Sequence, residues 1–213
     1  MMHFKGKKIV SCLFVFLLCF IIISCSSKSD FSLIQVNGEI ISHEEIESVL
    51  ERYEDKGEFV KVSEEDVVKS AIEEVLVLQE AGKLGITVDE AELDHKIDAL
   101  KNMNQNLFYD LAIKQYGDID NYREALKLRM LYQGTRDKIM SDYVKDNPID
   151  VELVKAEMVA EGLIQEQSEY DKEENRALVS QFTHSYVQKK GNAYFDEWVH
   201  SLVENANIEY VYR

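Results

Sequence analysis

Two Glu-x-x-His pairs are the residues in this sequence whose types and spacing could do chemistry. Glu92 with His95, and Glu197 with His200, place a carboxylate and an imidazole one helical turn apart. Helical bundles use this arrangement to hold pairs of metal ions between facing helices. At about 100° per residue, however, each pair lies on the side of its helix away from the apolar residues. We therefore expect both pairs to face solvent and predict no metal site.

No other pattern for catalysis or cofactor binding occurs in the sequence. It contains no glycine-rich phosphate loop and no G-x-S-x-G nucleophile motif. His43 and His184 have no nucleophile pattern around them, so we interpret them as surface histidines. The sequence thus predicts no catalytic residue, no bound cofactor and a protein that is not an enzyme.

The first 24 residues have the features of a bacterial signal peptide. A basic start is followed by the apolar run Ile9–Ile23, which is short for a membrane span and lacks stop-transfer charges after it. The run ends in "IISC", which resembles the lipobox at which a cysteine is acylated. We predict a lipoprotein signal peptide over residues 1–24, lipidation of Cys25 and a lipidated tether over residues 25–30. A plain secretory signal with an incidental cysteine, or an uncleaved anchor, is the alternative.

The charge of the chain limits its partners. Lys and Arg number 24 against 40 Asp and Glu, a net charge of −16, and three of the lysines lie in the leader. An acidic surface repels phosphate backbones and anionic lipid headgroups. We therefore predict no nucleic-acid binding, and contact with a membrane through the N-terminal lipid rather than through a basic patch.

Two segments at opposite ends of the chain predict a small sheet. Leu33–Val36 and Glu39–Ile41 flank Asn37-Gly38, a dipeptide that strongly favours a two-residue β-hairpin. An isolated hairpin of this length is marginally stable in water. The β-branched and aromatic segment Ile208–Tyr212 likewise needs a partner, so we expect it to join the hairpin as a third strand.

The rest of the chain predicts helices and hence a mainly α fold, with one domain over residues 31–213. Ser42 with Glu45 forms a capping box, and Ser63 with Asp66 marks a second helix start. The following segment is apolar on almost every side, which predicts a central buried helix. The first expected helix starts at Ser42, and the third starts at Thr87 or Asp89. The other expected helices, in chain order, are Val67–Leu78, Leu107–Tyr116, about Asn121–Val144, Val151–Ile164 and Glu173–Ala206.

The fifth of these helices carries two apolar stripes more than 90° apart. Either the helix is sandwiched with both stripes buried, or the second stripe lines a groove for apolar segments of other proteins. From the sequence alone we favour burial. The first stripe is Tyr122, Leu126, Met130, Met140 and Val144, and the second is Leu128, Tyr132, Ile139 and Tyr143.

Four blocks of sequence together resemble a known chaperone family. They are "VNGEIISHEEIE", "AIEEVLVLQEAGKLGITVDEAELD", "YREALKLRMLYQGTRDKI" and "AYFDEWVHSLVENANIEYVYR". In this order they resemble the chaperone module of SurA and of the lipoprotein foldase PrsA, with a more distant likeness to trigger factor. The resemblance implies a helical domain of the SurA N-terminal type whose terminal strand returns to the hairpin.

The sequence departs from that family at residues 149–175. Full-length members insert a parvulin prolyl isomerase domain before the final helix. Here the region is too short for that domain and contains one glycine and no histidine. We interpret it as a short linker region and expect peptidyl-prolyl isomerase activity to be absent.

The resemblance implies an ATP-independent holdase that binds unfolded secreted or outer-membrane proteins in an apolar cradle. It adds Phe108 and Tyr109 to the candidate client-binding residues, alongside the second stripe. The expected location is extracytoplasmic, at the periplasmic face of a membrane, and Ser26 favours the outer membrane over the inner. The alternative is a non-catalytic assembly or scaffold lipoprotein that holds one specific folded partner.

Overall fold

The structure is a computed structural model that describes residues 31–54 and 62–212. The predicted signal peptide (1–24), Cys25 and the tether (25–30) lie outside the described residues. The described chain is mainly α with one small antiparallel sheet, which confirms the predicted fold class.

The sheet joins the two ends of the described chain. Strand β1 (Phe31–Val36) lies in the middle, between β2 (Glu39–Ser42) and β3 (Ile208–Tyr212), in the order β2-β1-β3. Asn37 (φ 52°) and Gly38 (φ 95°) both have the positive φ that a type I′ hairpin turn requires. The predicted hairpin and the predicted third strand are therefore confirmed.

Seven α-helices lie between β2 and β3 in the described ranges. A π-helical segment, Asp110–Gln115, directly follows the short fourth helix, and two 3-10 turns precede the last. The helices are α1 (His43–Glu54), α2 (Glu64–Lys83), α3 (Glu90–Met103), α4 (Gln105–Tyr109), α5 (Ile119–Asp146), α6 (Val151–Ala160) and α7 (Arg176–Asn205).

Helix α2 is the central helix, as predicted. It starts at a capping box, in which the Asp66 amide donates to Ser63 Oγ (3.1 Å) and the Ser63 amide donates to the Asp66 carboxylate (3.2 Å). It ends where Gly85 adopts φ 68° and the Ile86 amide donates to the Ala81 carbonyl (2.9 Å). Between these caps it packs against the sheet, α5 and α7.

Buried side chains of the described residues form four hydrophobic clusters. The first two join α2 to the sheet and to the long helices. The sheet cluster consists of Phe31, Ile34, Val36, Ile41, Ile46, Val67, Val68, Ile72 and Leu76. The middle cluster consists of Val77, Phe195 and Val199, with Tyr132, Ile139, Met140 and Trp198 packed on it.

The other two clusters lie beside opposite ends of α5. The tip cluster is built where α3, α4 and the π-helical segment meet the start of α5, and the corner cluster where α6 meets α7. The tip cluster consists of Leu93, Ile97, Ala112 and Tyr122, with Phe108, Leu126 and Met130 packed on it. The corner cluster consists of Val154, Met158 and Ile164, with Tyr170, Leu178, Val179, Phe182 and Tyr186 packed on it.

The predicted helix Leu107–Tyr116 is divided into α4 (Gln105–Tyr109) and the π-helical segment Asp110–Gln115. Two further helices are shorter than the sequence predicts, for local reasons. Helix α6 ends at Ala160 rather than Ile164, because Gly162 adopts φ 71° and the Leu163 amide donates back to the Met158 carbonyl (2.9 Å). Helix α7 begins at Arg176, after a 3-10 turn, rather than at Glu173.

Helices α5 and α7 approach closely at Gly191. This glycine is buried, and a Cβ added to it would lie 3.0 Å from Met140 Cε and 3.5 Å from Met140 Cβ. Gly82, near the end of α2, has nothing within 4 Å of the same position. These two helical glycines therefore differ in the space available to an added side chain, so a substitution at Gly82 is a control for the same substitution at Gly191.

We predict opposite effects of leucine at these two glycines. Gly191→Leu should lower the free energy of unfolding by about 1–3 kcal/mol, because it overfills the contact between α5 and α7. Gly82→Leu should leave it unchanged or raise it by up to about 1 kcal/mol, because leucine is the better helix former. Urea unfolding followed by circular dichroism measures both. Equal effects at the two positions would contradict the described packing.

Candidate polypeptide-binding surface

Helix α5 links the clusters on which the candidate residues lie. It begins after Asp118, whose carboxylate accepts from the Asn121 amide (2.7 Å), and its 28 residues make it about 42 Å long. It packs on the π-helical segment and α3 at its start and on α2 and α7 further along. Side chains along this helix therefore meet quite different surroundings.

Two residues of the second stripe, Tyr132 and Ile139, are half-buried in the middle cluster. The Tyr132 ring meets the Phe195 ring edge-on, with centroids 6.0 Å apart. Burial raises the pKa of the Tyr132 hydroxyl, and the nearby Glu73 carboxylate adds to the shift. For these two residues the structure matches the burial alternative.

The two ends of the same stripe are different. Leu128 is 43% exposed. Tyr143 is half-buried and stacks on the exposed ring of Tyr194, with centroids 4.5 Å apart and the planes 20° from parallel. It also lines a cavity of about 220 Å³ between the end of α5 and α7. The second stripe is thus accessible at its ends and packed in its middle.

Phe108 and Tyr109 lie in α4, beside the start of α5. Phe108 is half-buried and meets the Tyr122 ring edge-on at 6.3 Å, whereas Tyr109 is 55% exposed. The exposed apolar side chains nearest to them in sequence form what we call the tip patch: Met103, Leu107, Tyr109 and Ile119.

Sequence reasoning missed three of the four residues of the tip patch. Leu100 and Leu107 lie three and four residues from Met103, so the helical period indicated apolar neighbours and no sequence signal marked Met103 as exposed. Sequence reasoning also missed the exposed side chains Ile149 and Leu153 at the turn from α5 to α6, which line the 220 Å³ cavity beside Tyr143.

The candidate residues therefore do not form one continuous groove. Tyr109 belongs to the tip patch, Leu128 lies on the outside of α5, and Tyr143 lies at the opposite end of the helix. Leu128 and Tyr143 alone are 15 residues, or about 22 Å, apart along the helix. The arrangement offers several separate apolar contact points along one rigid helix.

The Glu-x-x-His pairs lie where the helical phase places them. Glu92, His95, Glu197 and His200 are all exposed, and His200 Nε2 lies 3.3 Å from Glu204 rather than against Glu197. No group of three or more metal-ligating side chains is found in the described ranges 31–54 and 62–212.

The two remaining histidines of the described residues differ from each other. His184 is exposed, as expected. The prediction for His43 is wrong: its side chain is 17% exposed, and its ring packs edge-on against Phe31 at 5.1 Å. Because Phe31 begins the central strand, His43 at the start of α1 is drawn against the sheet.

Ion pairs hold α3 against the start of α5. Arg123 binds Glu90 (2.6 Å) and Asp94, and Lys127 binds the second oxygen of Glu90 (2.6 Å). Hydrogen bonds from Lys127 and then Arg123 lower the pKa of the Glu90 carboxyl. A hydrogen bond to Asp94, followed by one to Glu90, raises the pKa of Arg123. These contacts fix α3, which ends at Met103 of the tip patch.

A mainly α module whose two chain ends pair in one sheet, and which exposes separate apolar surfaces, has the properties of a protein that binds other polypeptides. The chain belongs to the SurA-like N-terminal domain family, whose model matches residues 2–136 of 213. This confirms the resemblance, and no parvulin isomerase domain is matched. The family is of the chaperone type and indicates polypeptide substrates and an extracytoplasmic location.

The other comparisons add two facts. None of the curated proteins compared matches the chain. Among the helices in the described part of the chain, none is both long and apolar enough to cross a membrane.

We predict that the α3–α5 ion pairs stabilise the fold at neutral pH and not in acid. Because the pKa of Glu90 is lowered in the folded chain, its contribution is present above the ordinary value of 4.5 and is lost as the pH falls through the lowered value. Glu90→Gln should therefore lower the urea midpoint at pH 7, and the difference from the unsubstituted chain should shrink at pH 3.

Glu92→Gln is the matched control. Glu92 is also in the first turn of α3, but it pairs with Lys96 of the same helix (3.2 Å) and not with α5. It should change the midpoint little at either pH. A Glu90→Gln effect that is the same at both pH values would contradict the account.

Proposed function

We propose that the protein is an ATP-independent holdase that binds unfolded extracytoplasmic proteins. The observation that carries the proposal is the exposed apolar side chains spaced along α5 and the tip patch of a chaperone-type module. Exposed apolar patches mark interaction sites, and separate patches suit a flexible chain that can reach several at once.

The expected binding is weak at each contact point. An unfolded client loses conformational entropy when it is ordered, so each apolar contact contributes little net affinity. Several such points on one rigid helix retain the client while leaving its other segments free. The net charge of −16 favours solubility of the chaperone and disfavours its self-association.

We propose no isomerase activity for this chain. The region 149–175, where the resemblance places a parvulin domain in longer relatives, contributes α6 and part of the corner cluster. The chain therefore uses this region to pack α6 on α7. Domain boundaries of 1–24, 25–30 and 31–213 complete the proposal.

We further propose that an acyl lipid on Cys25 holds the protein at the periplasmic face of a membrane, with the outer membrane favoured. Support comes from the apolar run and the "IISC" motif. Cys25→Ser should abolish incorporation of labelled palmitate in cells and move the protein from the membrane fraction to the soluble fraction. Continued labelling of the Cys25→Ser chain would contradict the proposal.

The holdase proposal predicts suppression of aggregation without ATP. Two unrelated proteins, chemically unfolded, are diluted into buffer with and without the chain from Lys28 to Arg213, and light scattering is recorded. Both should aggregate less at near-equimolar ratio. Tyr109→Asp with Leu128→Asp should weaken the suppression severalfold, because a charged side chain at each contact point opposes burial against the client.

Leu84→Asp with Tyr212→Asp is the matched control, since it makes the same two replacements at exposed residues outside α4 and α5. Circular dichroism checks that both variants stay folded. Equal loss of aggregation suppression with both pairs of substitutions would place client binding elsewhere. If the unsubstituted chain suppressed aggregation of neither client, the holdase function would be contradicted. Co-purification with one folded partner in fixed ratio would then support a dedicated assembly role.

A further inference from the structure

A second groove lies between α6 and α7, apart from the α5 residues proposed for client binding. Its volume is about 470 Å³, larger than the cavity beside Tyr143. Its apolar lining comes from Leu163, which is 38% exposed, and from the half-buried Leu178, Phe182 and Tyr186. The groove lies outside residues 2–136, which match the family model.

The lining residues follow one face of α7. Leu178, Phe182 and Tyr186 recur every four residues, and the same face continues through Lys190 to Ala193. The distance from Leu178 to Ala193 along the helix is about 22 Å, or four turns. The apolar part of this face, from Leu178 to Tyr186, is about 12 Å or two turns long, which can seat two turns of a partner helix laid along it.

The two walls of the groove carry opposite charges. Glu157 of α6 and Glu161, which directly follows α6, line one wall, and Lys189 and Lys190 of α7 line the other. Most basic side chains in the described part of the chain form an ion pair with a carboxylate. Within that part no ion pair involves these four, and Lys190 instead lies over the Tyr186 ring at 5.4 Å.

We propose that this groove binds an amphipathic helix of a partner protein. The helix would place its apolar face on Leu178, Phe182 and Tyr186. Its acidic flank would face Lys189 and Lys190, and its basic flank would face Glu157 and Glu161. The charge pattern of the walls thus fixes both the class of partner and its orientation.

The charge of the chain argues against a second copy as the occupant. Two copies would each bring a net charge of −16 to the interface, and long-range repulsion opposes their approach. The groove contains none of the residues assigned to unfolded clients. Tyr186 and Lys190 also line the cavity beside Tyr143, but the tip patch and Leu128 share no residue with the groove and report holdase activity separately. Loss of either function can therefore be observed without loss of the other.

Two designed peptides test the proposal by fluorescence anisotropy, with the full chain held in neutral-lipid nanodiscs and empty nanodiscs as the reference. The first peptide is an amphipathic helix with a glutamate flank and a lysine flank. The second peptide has the same composition, but its glutamates exchange positions with outward-facing lysines, so both flanks carry lysine and the net charge is unchanged. The unsubstituted chain should bind the first peptide about tenfold more tightly than the second.

Lys189→Glu with Lys190→Glu should reverse that preference, since the α7 wall then attracts the lysine-flanked peptide. The control, Lys101→Glu with Arg129→Glu, makes the same change in net charge on α3 and the first half of α5 and should keep the original preference. A reversal confined to the α7 variant supports the proposal.

Two results would overturn the proposal. Equal affinity of the unsubstituted chain for both peptides would show that the walls do not select charge. If sedimentation shows that the unsubstituted chain is a dimer and that Lys189→Glu with Lys190→Glu abolishes the dimer, the groove would instead be assigned to contact between copies. Circular dichroism confirms that each variant remains folded.

Discussion

The pairing of β1 with β3 is the interaction on which the rest of the structure depends. The Asn207 amide donates a hydrogen bond to the side-chain oxygen of Asn37 (2.8 Å), and the Asn37 amide donates one to the Asn207 carbonyl (2.8 Å). The Asn37 side chain also donates to Gln79 of α2 (3.0 Å), and Gln79 donates to the Val36 carbonyl (3.1 Å). One turn residue therefore ties the hairpin, the central helix and the end of α7 together.

This junction determines where the other helices lie. Because β3 directly follows α7, fixing the strand also fixes the end of the longest helix against α2. Helix α7 then supports α5 through Phe195 and Gly191 in the middle of the molecule, and it supports α6 through Phe182 near its start. The sheet end is thus closed, while the tip patch and the groove between α6 and α7 remain accessible. A rigid frame with separate accessible apolar surfaces supports the proposed holdase function.

Local signals made much of this fold predictable from the sequence. Asn37-Gly38 predicted the hairpin because it tolerates positive φ at both turn positions, and Gly85 predicted the end of α2 for the same reason. The β-branched terminal segment predicted its partner because the hairpin is the other β-forming stretch of the sequence.

The candidate site was less predictable, because a helical wheel gives the direction of a side chain but not its neighbour. Tyr132 and Leu128 belong to one stripe, yet α7 covers the first and leaves the second exposed. Residues 149–175 were interpreted as a linker region, although Val154 and Met158 are buried there. Their partners on α7 lie twenty or more residues away, so no local pattern showed that α6 would pack on that helix.

The most direct test of the account is a backbone amide NMR map of the chain from Lys28 to Arg213, with and without a permanently unfolded, reduced and alkylated protein. The account predicts shift changes at the tip patch and at the exposed residues of α5, with the amides of β1 and β3 unchanged. Shift changes confined to the sheet, or none along α4 and α5, would contradict the claim that this frame holds unfolded polypeptides on the accessible face of its fifth helix.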